Sequence, residues 1–219
     1  MTARIDTLIV GAAPATDATG HYPRLLSSAR RVIAADAGLT LCLDSGRMPD
    51  AVVGDFDSTS PDALDQARKA GATIVAHPRD KDASDLDLAL MYARETGTRG
   101  VTFTAAFSDR LDHTLAALGT LARSADLQGV GCEPGFDCYA LHARFRPHCA
   151  LTVPAGTTIS LFTVAGESVV SIDGVRWPLQ ECALGALSSL GLSNRASGGT
   201  VSARVHTGSA LLFVLRAAS

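Results

Sequence analysis

One hydrophobic period gives way to another along this chain, and that change constrains its fold more than any other feature. Short β-branched runs alternate with helical stretches in the first half, and from about Leu151 the pattern becomes half-buried strands broken by turns. Candidate strands are Ile5–Val10, Val32–Ala35, Ala51–Val53, Thr73–Ala76 and Val101–Ala105. The spacing predicts a helix over Pro61–Ala70, opened by proline and closed by Gly71. A second runs over Ser84–Thr96, with Ser84 as cap and Gly97 as stop, and Leu111, Leu115, Leu118 and Ala122 mark one face of a third. This order implies an α/β fold, with an N-terminal, mainly parallel sheet carrying helices on both faces. Thr157–Val164, Ser168–Ile172, Val201–Val205 and Leu211–Leu215 follow, with turns at Gly166, Asp173-Gly174, Ser197-Gly198-Gly199 and Gly208. They imply a small C-terminal antiparallel β-sandwich or barrel. We divide the chain into residues 1–142 and 143–219, with the Gly/Pro-bearing stretch from roughly Leu127 to Ala150 as connector.

The polar groups of the first half gather where the candidate strands end. Asp36-Ala37-Gly38 follows the second strand and Gly54-Asp55-Phe56-Asp57-Ser58 the third. His77-Pro78-Arg79-Asp80-Lys81-Asp82-Ala83-Ser84-Asp85 follows the fourth, and Ser108-Asp109-Arg110-Leu111-Asp112-His113 the fifth. An open parallel sheet binds ligands in the crevice outside these carboxyl ends, so four such loops point to one site rather than four separate caps. Asp55 and Asp57 at a wet sheet rim suit a hard cation such as Mg2+, although an acidic turn that caps the next helix uses the same residues. Several carboxylates with a cation suit phosphoryl-group chemistry, in which Arg110 or Lys81 neutralises remaining phosphate charge. His113 is either a structural hydrogen-bonding group or a base. No G-x-x-x-x-G-K-[ST] is present, which excludes a Walker-type loop, and Gly11-Ala12-Ala13-Pro14 is either a tight turn or a backbone approach to a phosphate.

Composition narrows the partners. At 219 residues, 47% hydrophobic and 19% charged, the chain has ample core. Eleven acidic residues lie between Asp36 and Asp87, which argues against a nucleic-acid partner. No run reaches the roughly 18 apolar residues of a membrane span. The start, Met1-Thr2-Ala3-Arg4-Ile5-Asp6, has no apolar signal-peptide core. Cys42, Cys132, Cys138, Cys149 and Cys182 are odd in number and lack C-x-x-C spacing, which fits a reduced cytoplasmic setting.

Asp36-Ala37-Gly38, Pro49-Asp50, Gly54-Asp55-Phe56-Asp57-Ser58, Lys81-Asp82-Ala83-Ser84-Asp85 and Arg110-Leu111-Asp112-His113, in this order, resemble the thiamine pyrophosphokinase family. Gly174-Val175-Arg176-Trp177-Pro178-Leu179 and Gly191-Leu192-Ser193-Asn194 extend the resemblance to the second half. It implies a homodimer in which an α/β nucleotide domain, residues 1–142, is joined to a thiamine-binding and dimerising β-sandwich, residues 143–219. The reaction implied transfers the pyrophosphoryl group of ATP, as its Mg2+ complex, to the hydroxyl of thiamine and leaves AMP. On this resemblance Asp55, Asp57 and Asp85 hold Mg2+ and Asp36 lies by the nucleotide. Lys81, Ser84, Arg110 and Asp112 contact ATP, with Arg110 also catalytic alongside the three metal-binding aspartates. Trp177, Ser193 and Asn194, from the partner subunit, enclose thiamine. A single tryptophan in a β-rich domain is also commonly core packing, and a flat ring facing a cationic thiazolium is the other use of it. The family usually has a second glycine at Ala37, threonine at Ser84, and glycines at Phe107-Ser108, where added bulk is able to narrow the nucleotide site.

Two rival readings remain. Asp55-Phe56-Asp57-Ser58-Thr59 resembles the signature of haloacid-dehalogenase-type phosphatases, with Asp55 as nucleophile. That motif normally ends the first strand of its fold, and here it follows the third. Cys132, Cys138, His142, His148 and Cys149 suggest a non-enzymatic metal-binding module, at spacings that match no zinc-finger pattern.

Overall fold

The computed structural model describes residues 5–17, 19–80 and 82–216, and divides the chain into two compact units, Met1–Thr120 and Leu121–Ser219. The first unit is built in the order β1 (Ile5–Val10), α1 (His21–Ser28), β2 (Ala29–Ala35), α2 (Gly38–Asp44), β3 (Ala51–Gly54), α3 (Pro61–Lys69), β4 (Thr73–Ala76), α4 (Asp85–Glu95) and β5 (Val101–Thr104). A fifth helix, α5 (Leu111–Ala122), follows. The five strands pair in parallel in the spatial order β5-β1-β2-β3-β4.

The sequence explains this architecture. A parallel strand covered on both sides reads as a continuous apolar run, and all four residues of β3 are buried. On one face Leu8, Val10, Val32, Ala34 and Val52 pack with Tyr22 and Leu26 of α1, Leu39 and Cys42 of α2, and Ala67 of α3. Ile9, Ile33 and Val53 alternate with them and so point to the other face. There α4 packs against β1, β2 and β3. Helix α3 has Pro61 in its first turn and Arg68 and Lys69 in its last, matching the helix dipole. The Ser84 hydroxyl caps α4 by accepting from Asp87 N at 3.1 Å.

Helices α1 and α2 are not among those read from the sequence. The anchor of α1 lies upstream, where Asp17 accepts backbone N–H groups from His21 at 2.8 Å and Tyr22 at 3.0 Å across a left-handed Gly20. Seven-residue α2 starts on Gly38, whose missing Cβ would stand 2.2 Å from Val10 O. Only glycine lets this turn lie against the end of β1.

The second unit contains β6 (Val130–Glu133), β7 (Phe136–His142), β8 (His148–Val153), β9 (Thr158–Phe162), β10 (Glu167–Asp173), β11 (Leu179–Gly185), β12 (Asn194–Arg195), β13 (Gly199–Thr207) and β14 (Ser209–Leu215). Its antiparallel strands lie in the orders β12-β9-β14-β7-β6 and β11-β10-β13-β8. Leu141, Ile159, Leu161 and Leu212 of the first layer pack on Val170, Ile172, Leu184, Val201, Ala203 and Val205 of the second. Two layers around one apolar core make this a sandwich. The stretch read as a connector, roughly Leu127 to Ala150, is a correction. It holds the hairpin β6–β7 and the start of β8, and its Pro134-Gly135 is the hairpin turn. Among the described residues, no helix is long and apolar enough to cross a membrane.

Candidate functional site

In the first unit, β1 to β4 step outward in one direction while β5 returns to the other side of β1. Such a reversal opens a crevice at the carboxyl ends of the two strands flanking it. A cleft of about 840 Å³ opens there, lined by Gly11–Ala13 after β1, Asp36 after β2, Asp55 and Asp57 after β3, Ser84 and Asp85 at the start of α4, and Ala105–Ala106 and Arg110 after β5. Three turns carry it in unusual backbone conformations, with φ of 43° at Asp36, 62° at Phe56 and 51° at Ala105. Left-handed non-glycine residues of this kind cluster at functional sites.

Asp36, Asp55 and Asp57 each offer a carboxylate oxygen, and these three atoms lie within 4.8 Å of one another. A hard divalent cation with bonds of about 2.1–2.5 Å holds its oxygens about 3–5 Å apart. The all-oxygen donor set therefore fits such an ion. Asp36 is buried, and Thr59 Oγ1 donates to its Oδ1 at 2.8 Å. Asp57 N donates to Asp55 Oδ1 at 3.2 Å, which folds the two acids onto one turn. The Asp57 carboxylate also accepts from Ser58 Oγ at 2.9 Å and from Arg79 Nη2 at 2.5 Å.

Asp85 lines the same cleft from α4. A Cβ on Gly54 would stand 3.1 Å from Asp36 Cβ and 3.2 Å from Asp85 Oδ1, so glycine at the end of β3 leaves room for both acids. Asp85 does not join the three-oxygen group, which has Asp36 in its place. Ser84 lines the cleft while capping α4. The Ser84 hydroxyl also donates to Asp87 Oδ2 at 2.9 Å, and Thr120 Oγ1 donates to Asp87 Oδ1 at 2.6 Å. Lys81 lies outside the described residues.

Arg110 and Asp112 form an exposed two-point pair at 2.7 and 3.3 Å. Hydrogen bonding to Asp112 pushes the Arg110 pKa up, and the same contact holds the Asp112 carboxyl below its ordinary value. His113 also lines the cleft. Ser108 lines the cleft as well. Ala12, Ala13, Ala105, Ala106, Ala116 and Ala117 also line the cleft.

The second unit brings its three candidates together. Asn194 is buried, its Oδ1 accepts from Trp177 N at 3.1 Å, and its Nδ2 donates to Trp177 O at 2.6 Å. Ser193 has φ 56° and donates its backbone N–H to Ser160 Oγ at 3.0 Å. Trp177 is 54% exposed and lies outside the sandwich core, and the Arg176 guanidinium lies 4.8 Å from the centre of its ring.

Sequence reading missed Thr59 and Arg79 as supports of the acids, Asp87 as partner of the Ser84 cap, and the alanines that line the cleft. Arg79 carried a signal through its place in the polar loop after β4, and Thr59 through its place directly after the Asp55-Phe56-Asp57-Ser58 run. Among the described residues the cysteine–histidine set does not gather as a metal-binding group.

The fold and cleft define a class of protein: an α/β unit with an acidic strand-end site, followed in the chain by a β-sandwich. Residues 22–129 match the family model for the thiamin pyrophosphokinase catalytic domain, and residues 145–212 match that for its vitamin B1 binding domain. The chain belongs to the thiamin pyrophosphokinase family. Thiamine pyrophosphokinase 1 of Arabidopsis thaliana is 30% identical over 137 residues, covering 54% of this chain and 50% of that protein. Thiamine pyrophosphokinase of Bacillus subtilis is 33% identical over 89 residues, 41% of this chain and 42% of that one. The chain thus spans about half the length of these curated relatives. Among solved structures, thiamin pyrophosphokinase from Geobacillus thermodenitrificans superposes with a TM-score of 0.79 at 20% identity, covering 98% of this chain and 99% of that one. The yeast enzyme superposes with a TM-score of 0.76 at 11% identity, covering 99% and 88%. At these identities the superpositions speak to the fold. Neither the phosphatase nor the metal-module reading finds support in these matches.

Proposed function

We propose that this chain transfers the pyrophosphoryl group of ATP to the hydroxyl of thiamine, giving thiamine diphosphate and AMP. The observation that carries the reading is the meeting of Asp36, Asp55 and Asp57 in a strand-end cleft of a chain of this family. In this reading Mg2+ would be held by Asp36, Asp55 and Asp57, with Asp85 in the same cleft, and when bound it spreads the charge of the triphosphate. Arg110 turns from Asp112 to the phosphates, a short move for an exposed side chain. Lys81, Ser84 and Asp112 border the nucleotide, and the alanines that line the cleft offer an apolar seat to the base. The thiamine hydroxyl attacks the β-phosphorus in line, its proton is lost, and AMP leaves. Positioning and charge neutralisation supply most of the acceleration, so no strong base is required.

The division of labour follows the proposed domains, with residues 1–142 taking ATP and residues 143–219 taking thiamine. Trp177, held by Asn194 and exposed beside Ser193, presents a flat face suited to the cationic thiazolium. Leu187, Leu190 and Leu192 are at least half exposed. Apolar exposure of that kind in one short segment favours burial in a homodimer. The five free cysteines suit a cytoplasmic setting.

Incubation with ATP, Mg2+ and thiamine tests the reading. AMP and thiamine diphosphate are expected in equal amounts, and ADP or inorganic phosphate as the main product would overturn it.

A further inference from the structure

Asp57 does not face the cleft alone. Arg79 reaches back from the loop after β4 and places Nη2 at 2.5 Å from Asp57 Oδ2, while Ser58 Oγ occupies Oδ1 at 2.9 Å. The root of that loop is fixed, because His77 N donates to Gly54 O at 2.9 Å at the end of β3. Two residues on, Arg79 is 74% exposed over its side chain and spends its guanidinium on one member of the acidic group. A guanidinium and a divalent cation compete for one carboxylate, since like charges at that distance repel. A triphosphate supplies the guanidinium with another partner of suitable geometry, because its fork of donors matches phosphate oxygens.

We propose that Arg79 is a positioning residue that holds Asp57 until the cation–nucleotide complex arrives and then passes to the phosphate oxygens. It thereby weakens binding of the cation alone and strengthens binding of the complex. The inference rests on the proposed metal and nucleotide reading of the cleft.

The test uses the purified full chain, Mn2+ as the probe ion counted by electron paramagnetic resonance, and α,β-methylene ATP as the unreactive nucleotide. Arg79→Gln is expected to bind Mn2+ alone roughly two- to fivefold more tightly, the range an exposed ion pair supports. The same variant is expected to bind α,β-methylene ATP with Mn2+ more weakly than the parent. A merely structural arginine would not move the two affinities in opposite directions. Arg79→Lys restores a cation opposite Asp57 and is expected to return the affinity for Mn2+ alone towards the parent value. Unchanged or weaker Mn2+ binding by Arg79→Gln overturns the inference. If Asp57→Asn abolishes Mn2+ binding at the same time, the metal reading stands without it. A parent protein that binds no Mn2+ overturns both.

Discussion

Asp57 shows how one residue carries opposite expectations for function and for stability. It sits on a rim turn, about one-third exposed, and contributes little to the core. Asp57→Asn is expected to abolish turnover, since losing a direct cation ligand costs several kcal/mol of transition-state stabilisation. Its melting temperature should match the parent's. Near-normal activity at saturating Mg2+ would remove Asp57 from the metal site, and a matching loss of stability would favour a capping role. Thr59 separates orientation from ligation, because its hydroxyl donates to the buried Asp36. Thr59→Val keeps the shape but removes the donor, and partners of this kind typically contribute about 10- to 100-fold to metal affinity. That loss should appear in Mn2+ titration, and Thr59→Ser should recover most of it. The acids themselves were legible because each follows a strand-like run, and in a parallel sheet all strand ends share one edge. Their convergence on one edge was legible too, but the place of Asp36 beside Asp55 and Asp57 was not. Asp36 joins Asp55 and Asp57 through a left-handed turn and the clearance at Gly54, and neither leaves a mark in residue spacing.

Elements were readable wherever one periodic signal was strong. Strands β1 and β4 lie where the apolar runs place them, and α3, α4 and α5 start within a residue or so of their proline, serine and leucine markers. The missed elements share a cause, which is that none carries one strong, unbroken periodic signal. Strand β11 buries only Leu184, and a left-handed Glu181 beside a register shift against β10 breaks its alternation. Helix α1 takes its cap from Asp17, outside the usual position. A long-range tie, by contrast, joins β1 to the turn before β5, where Asp6 Oδ2 accepts Arg99 N at 2.9 Å and Gly100 N at 3.3 Å. The bond from Arg99 N is the main cause of an Asp6 pKa held below its ordinary value of 3.8. A depressed carboxylate stabilises the fold above its unfolded pKa, and that contribution disappears as pH falls through the folded value. Asp6→Asn, which keeps an acceptor oxygen but removes the charge, should lower Tm at pH 7 by roughly 2–4 °C, as about 1 kcal/mol does in a chain of this size. The gap should begin to narrow near pH 3.8 and close only once pH has fallen below the lowered folded value, and a gap that persists in stronger acid would assign the effect to shape rather than charge.

At the scale of the whole molecule, the nucleotide and the alcohol substrate are assigned to different units, and Trp177 tests that assignment most directly. Its exposure and the clamp of Asn194 on both its backbone N and O describe a ring held out from the sandwich by a fixed backbone. Truncating a buried tryptophan would cost roughly 3–5 kcal/mol. Truncating this one should cost far less, because the core of Leu141, Ile159, Leu161 and Ile172 does not include it. Trp177→Ala is therefore expected to stay folded and to keep the parent's oligomeric state, with KM for thiamine raised and KM for ATP nearly unchanged. Sedimentation, a melting curve and two substrate titrations on one preparation separate the outcomes. A clear fall in Tm with catalysis per folded molecule preserved would return Trp177 to a structural role. A dimer that falls apart while thiamine affinity per dimer is unchanged would make the ring an interface residue. Raised KM for thiamine with Tm and oligomeric state unchanged is the result that supports the proposed thiamine role of the sandwich unit.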